Sequence, residues 1–229
     1  MMNSILAIDT SSAKCTVAVS TGDLLFQCSS ESERQSAQRV LPMISEVLSN
    51  AKIKLAELDL IAVMAGPGSF TGLRIGIGVA QGLSAANSTP VIGLSSLAVM
   101  AMAAGRESVA SQFLISEKAR EGEVYFAAYR QSKSLGVQLV GQEQIAIPKL
   151  LKLAADTSKT DTWCAVGSGW LDREDIQNSL NCLLEGPTIE PEVKISDLCD
   201  LAKLRYAAGE ALSADQLRPN YVKDRLDYG

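Results

Sequence analysis

The chain has 229 residues, 47% hydrophobic and 21% charged, which is the composition of a folded globular protein and excludes a disordered one. Its net charge of −5 argues against a domain that grips nucleic acid by its own basic surface. The absence of histidine excludes Ser-His-Asp, Cys-His and HExxH chemistries, because each needs an imidazole base or ligand.

The cysteine count is odd, no CxxC pair occurs, and the first residues lack the basic and apolar regions of a signal peptide. We therefore expect reduced cysteines and a cytoplasmic location. The sequence contains no stretch of about 18 uncharged apolar residues, so we predict no membrane span. We expect no metal and no cofactor.

Apolar runs joined by tight turns predict an antiparallel meander of three strands, at 4–8, 15–20 and 24–30. A capping-box pattern at Ser32 and Gln35, followed by apolar residues at helical spacing, predicts a helix as far as Leu48 with Pro42 inside it. The elements predicted next are a strand at 58–65, a glycine-rich loop at 66–72, a helix at 73–85 and a strand at 90–94.

The second half repeats this order without repeating the sequence, with strands at 112–116, 122–130 and 135–140, a helix near 148–155, a strand at 162–167 and a helix at 196–209. Such a duplicated unit is the pattern of actin-like proteins. We predict an α/β fold of two actin-like (ASKHA or RNase H-like) domains, each a mixed sheet in the order βββαβα. The predicted domains are 1–103 and 104–209, divided near 102–110. Segment 210–229 belongs to neither, and packing on the first domain is one option for it.

The loop from Gly66 to Gly72 has three glycines in seven residues, which allow crowded or left-handed backbone. Ser69 or Thr71 can cap the following helix. A glycine-rich loop at a helix N-terminus can cradle an anion, although this one is neither a Walker A loop nor GxGxxG. A tight strand-to-helix turn is the alternative interpretation.

The helix after this loop carries glycines four residues apart, as Gly72/Gly76 and Gly78/Gly82. An interior glycine costs roughly 0.8–1 kcal/mol relative to alanine, so the glycines need a compensating gain. Close packing on the chain's own sheet is one explanation, and contact with a helix of another chain is the other.

Two segments are candidates for a remnant of a nucleotide cleft, namely the first hairpin turn and the segment that follows the strand at 162–167. The first turn has no glycine, and the equivalent turn of the second half, Ser116–Gly122, has its glycine late, so neither turn suits close phosphate approach. The candidate residues are Asp9, Thr10, Ser11, Gly167, Ser168 and Gly169. A turn-capping aspartate and a plain turn are the alternatives. We expect no working ATP site and assign no catalytic residue.

Four segments resemble the bacterial TsaB (YeaZ) family, namely Ile5–Ser11, Arg39–Pro42, Gly66–Gly76 and Gly122–Tyr125. The stretch Gly-Pro-Gly-Ser-Phe-Thr-Gly-Leu-Arg-Ile-Gly is the most specific, and the resemblance spans most of the chain. Pro219–Lys223 resembles the family's terminal Pro-x-Tyr-Leu-Arg, with Lys223 in place of arginine.

The resemblance implies a non-catalytic subunit of the machinery that makes tRNA threonylcarbamoyladenosine, and not a peptidase despite the family's glycoprotease-like label. The implied partner is a TsaD-like paralogue, which carries the metal site and transfers threonylcarbamoyl to the adenosine beside the anticodon. A TsaE-like ATPase is the implied third subunit, and a homodimer is the implied state of the chain alone. Contact with tRNA is expected only indirectly.

On this resemblance we place the partner surface on the helix from Gln35 to Leu48 and on Gly72 to Leu83. The selected residues are Ser36, Arg39, Val40, Met43, Gly72, Arg74, Ile75, Gly76, Gly78, Val79 and Gly82. We expect Gly76→Arg or Gly78→Arg to leave the monomer folded but to abolish partner binding.

The chain departs from the family pattern at Ser36, where many relatives have histidine, and at Glu117–Arg120, where relatives have Asp-Ala-Arg. The alternative function is an ATP-dependent small-molecule kinase or ATPase of the same fold, and a peptidase is a third.

Overall fold

The computed structural model describes residues 4–30, 36–154, 157–158 and 160–222, which form two compact units. Of the described residues, the first unit comprises those as far as Ser96 together with Lys194–Asn220, and the second comprises those from Leu97 to Val193 with Tyr221 and Val222. Each unit contains one five-stranded mixed sheet. The predicted fold class, α/β with two actin-like units, is confirmed.

The first sheet has the strand order β3-β2-β1-β4-β5. Its strands are β1 (Ser4–Asp9), β2 (Cys15–Thr21), β3 (Leu24–Ser30), β4 (Leu60–Gly66) and β5 (Val91–Ser95). The first three strands form the predicted antiparallel meander, whereas β4 and β5 run parallel to β1. β4 is buried along its whole length, which explains its continuous apolar run.

Helices α1 (Ser36–Ala51) and α2 (Phe70–Asn87) pack on one face of this sheet. α1 covers β2 and β3, and α2 lies chiefly over β4. Their inward side chains share one apolar core with alternate residues of the strands, including Leu6, Ile8 and Val63. The predicted capping box at Ser32 and Gln35 lies outside the described residues.

Helix α5 (Ile195–Ala207) packs against β1, β2, β4 and β5 in the first unit, on the face opposite α1 and α2. Leu198, Leu201 and Ala202 are fully buried there. The predicted second domain of 104–209 wrongly included this helix, because periodicity alone does not show on which sheet an apolar helix face is buried. The first unit also ends at Ser96 instead of residue 103.

The second sheet has the order β10-β9-β6-β7-β8, with the same arrangement of antiparallel and parallel pairs. Its strands are β6 (Gln112–Lys118), β7 (Val124–Ser132), β8 (Gly136–Ala146), β9 (Thr162–Val166) and β10 (Leu183–Ile189). Its core contains Trp163 and Trp170, both buried. The Trp170 indole N–H donates to the carbonyls of Leu114 and Val166, which makes it a core residue.

The predicted helix near 148–155 is wrong in its described part. A single 3-10 turn at Pro148–Leu150 is followed by residues without regular structure up to 154. The Gln144 amide pairs with the Lys152 backbone, at 2.6 Å to its carbonyl and 3.2 Å to its N–H. The Ser179 hydroxyl lies 2.8 Å from the Leu151 carbonyl. These tertiary hydrogen bonds use the backbone groups that a helix would have paired.

Three elements were not predicted, namely α3 (Ser96–Glu107), α4 (Arg173–Leu180) and β10. The domain boundary expected near 102–110 therefore lies partly inside α3. None of the helices in the described ranges is long and apolar enough to cross a membrane.

Candidate partner interface and the closed turns

The glycine-rich loop of the first unit packs backbone to backbone against the turn that follows β1. The Ser69 N–H donates to the Ser11 carbonyl at 2.7 Å, and the Ser69 hydroxyl caps α2 by accepting from the Gly72 N–H at 3.3 Å. A Cβ added at Gly68 would lie 2.6 Å from the Ser11 carbonyl oxygen. The chain's own turn therefore occupies the space that these glycines open, which favours the turn interpretation over an anion cradle.

Gly72 and Gly76 face this same turn from α2. Both are buried, and a Cβ at either position would overlap an oxygen of Thr10. The buried Thr10 hydroxyl donates to the Gly72 carbonyl at 2.7 Å. These two glycines allow α2 to approach the end of β1, so they serve the core of the first unit.

Asp9 ends β1 and accepts two hydrogen bonds from Ser11, from its N–H at 2.9 Å and its hydroxyl at 2.6 Å. Burial raises the pKa of the Asp9 carboxyl, and these hydrogen bonds oppose the shift. Both bonds lie within the turn, as in a turn-capping aspartate. Among the described residues, no group of three or more Cys, Asp and Glu side chains is placed to hold a metal ion.

The second unit closes its corresponding turn in the same way. The Gly169 N–H donates to the Ser116 carbonyl at 2.8 Å, and a Cβ at Gly167 or Gly169 would overlap Ser116. The Glu117 carboxylate accepts from the Ser168 N–H at 2.8 Å and from its hydroxyl at 3.2 Å. Glu117, one of the departures from the family pattern, thus ties this turn to the glycine-rich loop.

The outer face of α2 is different, because it borders an open groove between α1 and α2. This α1–α2 groove has a volume of about 460 Å³. α1 contributes Ala37 and Leu41, and α2 contributes Arg74, Ile75, Gly78, Val79, Gly82 and Leu83. Apart from the helix's own adjacent residues, no described heavy atom lies within 4 Å of a Cβ added at Gly78 or Gly82. These two glycines form a flat, exposed strip along the groove.

The structure divides the selected interface residues into two groups. Arg74, Ile75, Gly78, Val79 and Gly82 line the groove, whereas Val40, Met43, Gly72 and Gly76 are buried in the chain's own core. A partner cannot contact these four directly, and their selection as contact residues was wrong, because periodicity does not reveal which helix face the sheet covers.

Arg39 is exposed but does not line the groove, and the side chain of Ser36 lies outside the described part of the chain. The sequence reasoning missed Leu41, which is 53% exposed although apolar, and Leu83. It also missed Phe70, 52% exposed at the start of α2, over which the Arg74 guanidinium stacks at 3.9 Å from the ring centroid. An Arg four residues after an aromatic residue was the available signal.

A family model described as TsaD, tRNA N6-adenosine threonylcarbamoyltransferase, matches residues 29–199. Two curated relatives are named tRNA threonylcarbamoyladenosine biosynthesis protein TsaB, and each is 31% identical to this chain. The relative from Escherichia coli K12 aligns over 97% of this chain and 95% of its own length. The relative from Haemophilus influenzae aligns over 98% and 95%. The chain belongs to the TsaB (YeaZ) family.

Two solved structures from Pseudomonas aeruginosa agree with this membership. The one described as YeaZ is 33% identical, with a TM-score of 0.78 over 96% of this chain and 100% of its own. The other, described as similar to peptidase YeaZ, is 34% identical, with a TM-score of 0.81 over 97% and 100%. The TsaB likeness therefore spans both units, and the TsaD match includes α1, α2 and the groove between them.

Proposed function

We propose that this chain is a non-catalytic scaffold and activator subunit in tRNA threonylcarbamoyladenosine biosynthesis. It acts by pairing with a TsaD-like catalytic subunit, which adds threonylcarbamoyl to the adenosine next to the anticodon. The name of the relatives supports a role in this biosynthesis, and the match to the TsaD family model supports a TsaD-like partner. One observation carries the pairing, namely the exposed Gly78 and Gly82 strip along the apolar α1–α2 groove.

A groove with this lining is suited to a helix of another chain. Leu41 is exposed beside the half-buried Val79 and Leu83, and apolar surface of this kind marks interaction sites. The glycines offer no side chain, so a partner backbone can come close along the strip. The stack of Phe70 and Arg74 adds an aromatic residue and an arginine, two types enriched at interfaces.

The occupant we propose is a chain of the same fold. The TsaD family model matches residues 29–199, which include α1 and α2, so a TsaD-like subunit offers equivalent helices. Packing α1 and α2 of one chain against their counterparts gives a nearly two-fold interface. A homodimer of this chain would use the same surface when it is alone.

The remaining assignments follow from charge and from the closed turns. The net charge of −5 supports a subunit that touches tRNA only indirectly, through the complex. The turns at Ser11 and Ser116 are filled by the chain's own glycine-rich loops, which supports placing catalysis on the partner. A TsaE-like ATPase is the third subunit we propose, and the cytoplasm is the proposed location.

The proposal is tested by reconstituting tRNA modification from the catalytic subunit, the ATPase subunit, threonylcarbamoyl-adenylate and tRNA, with and without this chain. We expect multiple-turnover modification only when the chain is present. The Gly78→Arg variant should fold, yet lose partner binding by about 30-fold or more, because an arginine would fill the strip at the centre of the interface.

The matched control is Ala207→Arg, which adds the same side chain at an exposed position of α5, on the opposite face of the first sheet. This variant should bind and activate like the wild type. If the wild-type chain changes nothing while the partners are active with a known relative, the activator role is wrong. If Gly78→Arg retains full binding, the interface lies elsewhere.

A further inference from the structure

The segment from Leu212 to Asn220, here called the C-terminal strap, lies on the first sheet beside α2. Leu212 extends the sheet edge by an antiparallel bridge to Val91, with N–O distances of 2.9 and 2.7 Å. The Asn220 N–H donates to the Ala65 carbonyl, at the end of β4, at 2.8 Å. The strap is therefore fixed at both of its ends to the sheet that carries α2.

Leu217 anchors the middle of the strap. It is 1% exposed and belongs to the same apolar core as the inward faces of α1 and α2. It fills the space above Gly93 of β5, where an added Cβ would lie 2.8 Å from its Cδ1. One face of the sheet is thus covered by α1, then α2, and then the strap over β5.

The strap is bonded directly to α2. The Gln81 side-chain amide donates to the Leu217 carbonyl at 3.1 Å. With about 100° between successive helical residues, Gln81 points away from Val79 and Leu83, which border the α1–α2 groove. α2 is consequently held between α1 on the groove side and the strap on the other side.

Tertiary contacts of this kind matter for α2 because its sequence is a weak helix former. Gly76, Gly78 and Gly82 lie inside it, and glycine is the poorest helix former after proline. No described atom outside the helix's own adjacent backbone lies within 4 Å of a Cβ added at Gly78 or Gly82. The strap is thus one of the contacts that hold α2 in place, together with β4, β5 and α1.

We propose that the C-terminal strap positions α2 for partner binding, with Leu217 and Gln81 as positioning residues that do not touch the partner. This inference rests on the proposed pairing through the α1–α2 groove. It assigns a role in assembly to a segment more than a hundred residues from the interface helices in sequence. A chain without the strap would keep its groove residues but present them on a loosened helix.

The test compares Leu217→Ala with Leu198→Ala, which removes an equally buried leucine from α5 on the other face of the same sheet. Hydrogen–deuterium exchange of peptides covering 73–83 is measured on the chain alone. The affinity for the TsaD-like subunit is measured by calorimetry. We expect Leu217→Ala to raise exchange in α2 and to weaken partner binding by about tenfold. Leu198→Ala should lower the melting temperature without either effect.

Gln81→Met provides a variant that folds even if Leu217→Ala does not, since it removes only the hydrogen bond to the strap. We expect faster α2 exchange and an affinity about threefold weaker. Equal effects of Leu217→Ala and Leu198→Ala, or wild-type affinity in both strap variants, would overturn the positioning role. If the wild type itself does not bind the partner, the pairing fails, and the exchange data still decide whether the strap orders α2.

Discussion

Gly76 and Gly78 are two residues apart on α2, and the structure predicts opposite effects when each is replaced by alanine. A methyl group at Gly76 would overlap the Thr10 hydroxyl and lie 3.4 Å from Cγ2 of Val63. A methyl group at Gly78 would have no described heavy atom within 4 Å. Gly76→Ala should therefore destabilise the first unit, and Gly78→Ala should stabilise it.

The magnitudes follow from the contacts. Overpacking a core costs about 1–3 kcal/mol. Displacing the Thr10 hydroxyl would also leave the buried Gly72 carbonyl without its donor, which costs about 1–3 kcal/mol more. Alanine regains about 1 kcal/mol of helix propensity, so the net loss for Gly76→Ala is about 3 kcal/mol. Gly78→Ala keeps only the propensity gain of about 1 kcal/mol.

Urea denaturation of both variants measures these changes as shifts of the midpoint at constant slope. The double variant Thr10→Ala/Gly76→Ala tests the cause, because without the hydroxyl the new methyl group has space. Both the overlap and the lost hydrogen bond are then removed, so the penalty of Gly76→Ala should shrink by about 4 kcal/mol in that background. A Gly76→Ala chain at least as stable as the wild type, or equal losses at both glycines, would refute the division of α2 into a core face and a groove face.

Three further predictions concern other parts of the chain. Gly169→Ala should lower the urea midpoint of the second unit, because the new Cβ would lie 2.9 Å from the Ser116 carbonyl carbon. The fluorescence of Trp163 and Trp170, both in the core of that unit, reports the unfolding, and an unchanged midpoint would contradict the prediction. Burial raises the pKa of the Cys199 thiol from 9.0 to about 12, so the folded chain keeps a proton that the unfolded chain loses, and stability should fall as pH rises above about 9. Cys199→Ala should flatten that fall in urea midpoints between pH 8 and 10.5, and equal slopes would refute the assignment. Calorimetric titration of the chain alone with ATP should show no binding, since the spaces beside Gly68 and Gly169 are filled; tight binding would favour the kinase or ATPase alternative.

The strands of the first unit were predictable because each is an apolar or alternating run between turn residues. The runs at 4–8 and 58–65 correspond to Ser4–Asp9 and Leu60–Gly66. Helix α3 was missed although its sequence is rich in alanine, the strongest helix former, because a domain boundary was expected there. β10 was hidden by Gly186 and Pro187, which an edge strand tolerates but an inner strand does not.

Helices α1 and α2 were predictable from the sequence, but the face that each exposes was not. Whether Gly72 and Gly76 point inward is decided by Thr10, whose hydroxyl bonds to Gly72 across 62 positions of sequence. No local sequence pattern indicates that contact. Leu41 was passed over for the related reason that an apolar residue at helical spacing is usually buried, and only its 53% exposure identifies it as part of the groove.

The glycines of α2 bear most directly on whether the groove has a partner. Gly72 and Gly76 are compensated within the chain, because their lack of side chains lets α2 approach Thr10 and form a buried hydrogen bond. Among the described residues, no such contact compensates Gly78 and Gly82, although each weakens the helix by about 1 kcal/mol relative to alanine.

A helix that needed only to be stable would carry alanine at both exposed positions. We propose that the gain that offsets these glycines comes from a partner backbone that approaches where a methyl group would intrude. Gly78→Ala separates the two requirements, because it should raise the free energy of unfolding of the chain alone while weakening its binding to the TsaD-like subunit. A variant that is both more stable and equally tight in binding would show that the flat strip does not serve pairing.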